Sequence, residues 1–164
     1  MKQNKGFTLI ELLAVIVILA IIALIATPIV LNMIANARKS AAKSSTLGYV
    51  DSIEYYAGFS QANVDGIGLD ASYNPDKLIV GECNVTATSG VCGDFLTEVN
   101  KKHKGSAPTA GKFVLDANGS VTSAEFQYNG YKCTYDATNP SNTSCGSGTA
   151  ASGLNTATLV NAAS

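Results

Sequence analysis

The chain has 164 residues, 46% hydrophobic and 14% charged, with a formal net charge of -1. That is one domain's worth of length with a little to spare. It is too apolar for a disordered tail protein, and not basic enough to bind nucleic acid by neutralising phosphates. One His and no Trp leave little for a His-based catalytic or metal site. No Ser-His-Asp, paired-carboxylate or phosphate-loop pattern stands out, so neither an enzyme nor a cofactor or metal is expected. The large aliphatics gather in residues 7–31, and the rest is a Gly-, Ser-, Thr- and Asn-rich domain with four Cys. This distribution excludes a simple cytosolic enzyme and points to a chain with one membrane-embedded end.

The run FTLIELLAVIVILAIIALIATPIVL, residues 7–31, contains a single charge, Glu11. At ~1.5 Å per residue it can cross a hydrocarbon core of about 30 Å. Lys2 and Lys5 precede it, and a short basic flank keeps the amino end on the cytoplasmic side. The run is too long for a signal-peptide core of about 7–15 residues. Glu11 breaks the pattern, since a carboxylate near a span centre costs about 2.5–3.5 kcal/mol. Such a group needs a partner. Cleavage between Gly6 and Phe7 creates an α-amine four residues before Glu11, on the same helix face. In a neighbouring copy shifted along its axis, that amine can meet the carboxylate.

KGFTLIELL, residues 5–13, resembles the cleavage and methylation motif of type IV pilins and the related pseudopilins. The resemblance implies that Gly6 precedes the cut and that Phe7 becomes the N-methylated first residue. It also implies that Glu11 is the buried glutamate of assembly and that Pro28 matches a proline many of these proteins carry in the span. The implied partners are further copies of the chain in a helical filament, a prepilin peptidase, an inner-membrane assembly platform, and the membrane before assembly. Nucleic acid is not expected as a partner of the isolated subunit. The implied role is a pilus subunit in surface adhesion, twitching motility or related tasks, located in the cytoplasmic membrane as precursor and in an extracellular filament once assembled. Two alternatives stand beside it: a pseudopilin of a secretion or DNA-uptake system, and an uncleaved membrane-anchored binding domain.

The helical pattern continues past the span. Leu31, Ala35, Ala42, Thr46, Tyr49, Val50, Ile53 and Ala57 fall on one broad face, with Arg38, Lys39 and Lys43 among or beside them. A helix from Phe7 to about Ala57 is expected, about 75 Å long, with Gly58 as its stop and Pro28 as a bend or loosened turn. Residues 59–78 read as a surface connection, residues 78–80 as a short strand, and residues 94–104 as a short helix ending in KKHK with a solvated His103.

Asn118-Gly119 and Asn129-Gly130 are two-residue hairpin signals in residues 112–136. They predict that Leu115 pairs with Thr122, Phe113 with Ala124, Phe126 with Cys133 and Tyr128 with Tyr131. One face then collects Phe113, Leu115, Ala124, Phe126, Tyr128, Tyr131 and Tyr135; Val114, Val121, Glu125, Gln127 and Lys132 take the other. The fold class is α+β: a long N-terminal helix packed on a small antiparallel β-meander, as the family resemblance also implies.

Residues 1–6 form the leader, 7–31 the span and polymerisation helix, 32–59 the amphipathic continuation and 60–164 the head. Cys83, Cys92, Cys133 and Cys145 suit disulfides in a head outside the cytoplasm, and no CxxC or paired His favours a metal. Three connectivities are open. Cys83–Cys92 with Cys133–Cys145 closes the shortest loops, and a long-range bridge from Cys133 also stays open because it shares the packed face. After Asp136 no charged residue occurs, and the tail is either pinned by Cys145 with an edge strand at residues 158–160 or partly disordered.

Overall fold

The computed structural model describes residues 6–62, 77–153 and 155–161. The leader lysines and most of the expected connection at residues 59–78 therefore lie outside the described residues. The chain divides into two compact units, Met1–Arg38 and Lys39–Ser164. Helix α1, Leu9–Ala62, is a single element that supplies both. It runs unbroken through Pro28 and through Gly58, the expected stop.

In the second unit the order is α1, β1 (Lys77–Asn84), α2 (Gly90–Lys102), β2 (Ala110–Leu115), β3 (Val121–Tyr128), β4 (Tyr131–Asp136), β5 (Ser144–Ser147) and β6 (Thr158–Asn161). The strands form one antiparallel sheet in the order β5-β4-β3-β2-β1-β6. The expected meander, β2-β3-β4, is its centre. The head is larger than that meander: β1 joins β2 with residues 81–84 and β6 with residues 77–80. β5 adds the opposite edge.

One sheet face carries the core. From α1 it takes Ala42, Tyr49, Val50, Ile53, Tyr56 and Ala57; from α2, Phe95, Leu96 and Val99; from the sheet, Phe113, Leu115, Val121, Ala124, Phe126 and Cys133. Tyr49 sets its ring edge-on to Phe126 at 5.3 Å, an arrangement aromatic quadrupoles favour. Leu31 and Ala35, expected on the buried face, are exposed, and burial on α1 begins at Ala42. The buried Thr46 hydroxyl donates to the Ala42 carbonyl at 3.0 Å, so that polar group stays satisfied.

The two hairpins differ. Asn129 and Gly130 both take positive φ, 44° and 85°, the signature of a two-residue type I′ turn. Phe126 then faces Cys133, and Tyr128 faces Tyr131. At the other hairpin Asn118 has no positive φ, and the turn is wider. The Asp116 carboxylate accepts the N–H groups of Asn118 (2.8 Å) and Ser120 (2.9 Å). An Asx turn has displaced the expected Asn-Gly turn. Phe113 still pairs with Ala124, but Leu115 pairs with Val121 instead of Thr122 across a bulge. The extra residue turns Val121 into the core, where it is 2% exposed, rather than onto the outer face. Its N–H is held by the Glu54 carboxylate of α1 at 2.9 Å.

α2 starts four residues before the expected short helix and ends two residues sooner. His103, expected to be solvated, is half-buried. Its Nδ1 lies 3.1 Å from Ser52 Oγ and its ring stands edge-on to Tyr49 at 5.0 Å. The carboxyl end of α2 abuts α1 at Gly48 and Ser52.

The other sheet face is polar and is crossed by the C-terminal segment. Glu82 pairs with Lys112 at 2.9 Å and Glu125 with Lys132 at 2.8 Å. Gln127 receives the N–H of Ala150, and the Asn84 side chain donates to the Gly153 carbonyl. The tail is thus ordered through residue 153, and β6 is the expected edge strand.

Two outcomes test this packing. Gly111 has φ of 127°, and a Cβ there would fall on the Glu125 carbonyl oxygen. Gly111→Ala should therefore lower urea stability by about 3 kcal/mol or more. The Asp116 carboxyl is held below its ordinary value, chiefly by the Ser120 N–H. A depressed carboxyl stabilises the fold above its unfolded value of about 4 and loses that contribution as pH falls through the folded one. Asp116→Asn keeps an acceptor in the loop but should flatten the acid limb of a urea-midpoint against pH series.

Candidate cleavage and assembly segment

Residues 9–31 of the first unit present an apolar surface broken by Glu11 and Thr27. Every described residue from position 6 to 41 is exposed except Ala26, which is half-buried. Phe7 is 91% exposed. The helix is long and apolar enough to cross a membrane. A Cβ added at Gly6 meets nothing within 4 Å among the described residues.

The start of α1 is built by residues 8–11. Thr8 precedes the first helical residue, and Glu11 stands three positions on. Glu11 Oε2 accepts the Thr8 N–H at 2.9 Å and the Thr8 hydroxyl at 2.8 Å. The Glu11 N–H donates back to Thr8 Oγ1 at 3.4 Å. This is a capping box, which satisfies donors at the helix start and sets a negative charge at its positive pole. The Thr-x-x-Glu pattern was readable in the sequence; attention to Glu11 as a charge hid its role as a cap. Both bonds use Oε2. Among the described residues Glu11 has no counter-charge.

Pro28 sits inside α1 and removes a backbone donor. Beside it Thr27 Oγ1 donates to the Ala23 carbonyl at 2.6 Å, a local back-bond. The structure does not bring Pro28 to Gly6, Phe7 or Glu11; it stands more than four turns along the helix. In the head, Cys83 of β1 is bonded to Cys92 of α2, and Cys133 of β4 to Cys145 of β5. The second bridge joins directly paired strand positions. Among the described residues no cluster of His, Cys, Asp or Glu is placed to hold a metal ion.

Comparison with known proteins bears on this segment and on the chain as a whole. Residues 1–27 match the family described as the prokaryotic N-terminal methylation motif. A fimbrial protein of Moraxella nonliquefaciens is 32% identical over 146 residues, covering 78% of this chain and 95% of that one. The chain belongs to the type IV pilin family. No solved structure matches it. The pilin assignment accords with the architecture, an apolar N-terminal helix whose continuation packs on an antiparallel sheet.

In this pilin the cap can be tested apart from assembly. Thr8→Val removes the hydroxyl bond and the cap, and should cost the first turn about 1 kcal/mol, while Thr8→Ser should keep it. Hydrogen exchange of the amides at residues 9–12 in detergent micelles reads the difference. Equal protection in the Val and Ser variants would show that the box does not hold the turn.

Proposed function

We propose that this pilin is made as a precursor, cut between Gly6 and Phe7 by a prepilin peptidase, N-methylated at Phe7 and polymerised into a pilus. The observation that carries the reading is Glu11: a carboxylate on a bare apolar helix, without a counter-charge among the described residues, four positions from the amine that the cut would create. Gly6 and Phe7 support the same reading, because they fall within the matched methylation motif.

Before assembly the apolar residues of α1 lie in the cytoplasmic membrane, and afterwards they pack against the same residues of other copies. Glu11 and the Phe7 amine of a neighbour are each costly unpaired in an apolar setting, so growth favours the axial offset that joins them. The pair acts mainly as a register device, since desolvation offsets much of its attraction. Apolar contact supplies the cohesion. Pro28 marks where the helix can loosen as copies pack. An assembly platform in the inner membrane would feed subunits to the filament. The relative's description as a fimbrial protein supports a pilus over a secretion pseudopilus, and the use proposed for that pilus is adhesion or twitching motility.

Intact-mass analysis of purified filaments tests processing. The expected mass lacks residues 1–6 and carries one added methyl; a mass retaining the leader would overturn the reading. Glu11→Val should still insert and be cut, yet yield about tenfold fewer filaments as the sole copy, given the strength of charge-assisted bonds. Normal filaments built wholly from that variant would show that the carboxylate does not set the register.

A further inference from the structure

One cleft lies away from the assembly segment. It holds about 300 Å³ and is lined by Lys39, Ser40 and Lys43 of α1 and by Thr143, Ser144 and Cys145 at the start of β5. Two lysines and three hydroxyl-bearing residues line it, and no carboxylate is among its lining residues. Lys43 Nζ donates to the Ser141 carbonyl at 2.6 Å. That bond anchors the ammonium at the wall and uses one of its three donors. Lys39 makes no ion pair among the described residues. Thr143 is 2% exposed, and its hydroxyl is buried without a hydrogen-bond partner. A buried hydroxyl left unpaired is costly, and rotation about the Cα–Cβ bond is what would turn it to an acceptor in the cleft. The Cys133–Cys145 bridge fixes β5 to β4, so this wall is preformed.

We propose that this cleft binds a phosphate group, and that in the membrane-bound subunit the phosphate is that of an anionic phospholipid headgroup. One unpaired buried hydroxyl, clustered positive charge and no competing carboxylate are the chemistry of an oxyanion site. The lipid as source rests on the membrane placement proposed above. After Glu11 the next charged residues are Arg38, Lys39 and Lys43, ahead of the first acid, Asp51. They follow the span on the side where the positive-inside bias disfavours cations, so retaining them calls for another purpose. Lys39 lies eight residues past Leu31, where the apolar span ends, about 12 Å along the helix, and its stem can reach back toward the membrane. A headgroup layer is about 5–7 Å deep on each side of the hydrocarbon, within reach of a lysine stem.

The test uses the full chain in dodecyl maltoside micelles, which contain no phosphate, with NMR shifts of Thr143 and Ser144 as readout. Phosphatidylglycerol doped into the micelles should produce saturable shifts. Inorganic phosphate should move the same signals at concentrations at least tenfold higher. Lys39→Gln, Lys43→Gln and Thr143→Val should each weaken both titrations about tenfold, with Thr143→Ser close to the parent. Lys39 is exposed and Gln at position 43 can still donate to Ser141, so these variants should fold. No saturable shift with either ligand would overturn the site, as would equal shifts with acetate. Lipid shifts unchanged in all three variants would mean general surface attraction and overturn it too. Binding of inorganic phosphate without the lipid would overturn the lipid as source. Cleavage and filament growth enter none of these titrations, so the failure of either is scored separately.

Discussion

A stretch of α1 more than thirty residues long leaves its large apolar side chains exposed among the described residues, and the rest of the architecture answers to that. Leu9, Ile10, Leu24, Ile25 and Met33 are all exposed. Apolar surface removed from water is worth about 25 cal/mol per Å², so such a helix cannot remain in water as a monomer. It must be covered by lipid or by the same surface on other copies. The two solutions exclude water equally well and differ little in apolar energy. That near-balance suits the proposed passage of the subunit from a membrane to a filament. It also means that apolar contact alone cannot choose one helix offset over another, and the choice falls to the few polar groups on the surface.

The head solves a separate problem. Its core is small and shared among three sources: residues 42–57 of α1, the inner face of α2 and one face of the sheet. Neither bridge lies at random. Cys83–Cys92 ties α2 to β1, and Cys133–Cys145 ties the short edge strand β5 to the meander. Each closes a loop of about ten residues, worth somewhat under ~3 kcal/mol on the chain-entropy account. They act where strand pairing is shortest. On the outer face the C-terminal segment, which carries no charge of its own, is held by hydrogen bonds to Glu125, Gln127 and Asn84. A charge-free tail therefore needs a charged and amide-rich face beneath it.

Much of this was legible from residues, for stated physical reasons. The apolar run and its single carboxylate are visible because a membrane demands continuous hydrophobicity and penalises every exception. Asn129-Gly130 read correctly because two positive φ angles leave few other residues to choose from. Asn118-Gly119 misled because Asp116, two positions earlier, offers the backbone a competing acceptor. That one carboxylate moved the register at Leu115 and sent Val121 inward. β5 was missed because SCGS has no apolar alternation; it exists by pairing and by Cys145. The burial of His103 depended on α2 meeting α1 beside Gly48, which no local pattern encodes.

Glu11 joins these levels. In the isolated chain it is the acceptor of a capping box, bonded through Oε2 to the Thr8 N–H and hydroxyl. The Thr8 hydroxyl is a neutral donor, and among the described residues no counter-charge reaches Glu11. A cap thus satisfies the helix start without satisfying the carboxylate. The geometry leaves Oε1 free of those bonds, so a cation can approach without breaking the turn that positions the group. A carboxylate fixed by its own helix loses little side-chain freedom when a counter-charge arrives, which favours pairing. In the proposed filament, Thr8 prepares Glu11 for the neighbouring amine: the cap supplies the orientation, and the second subunit supplies the charge.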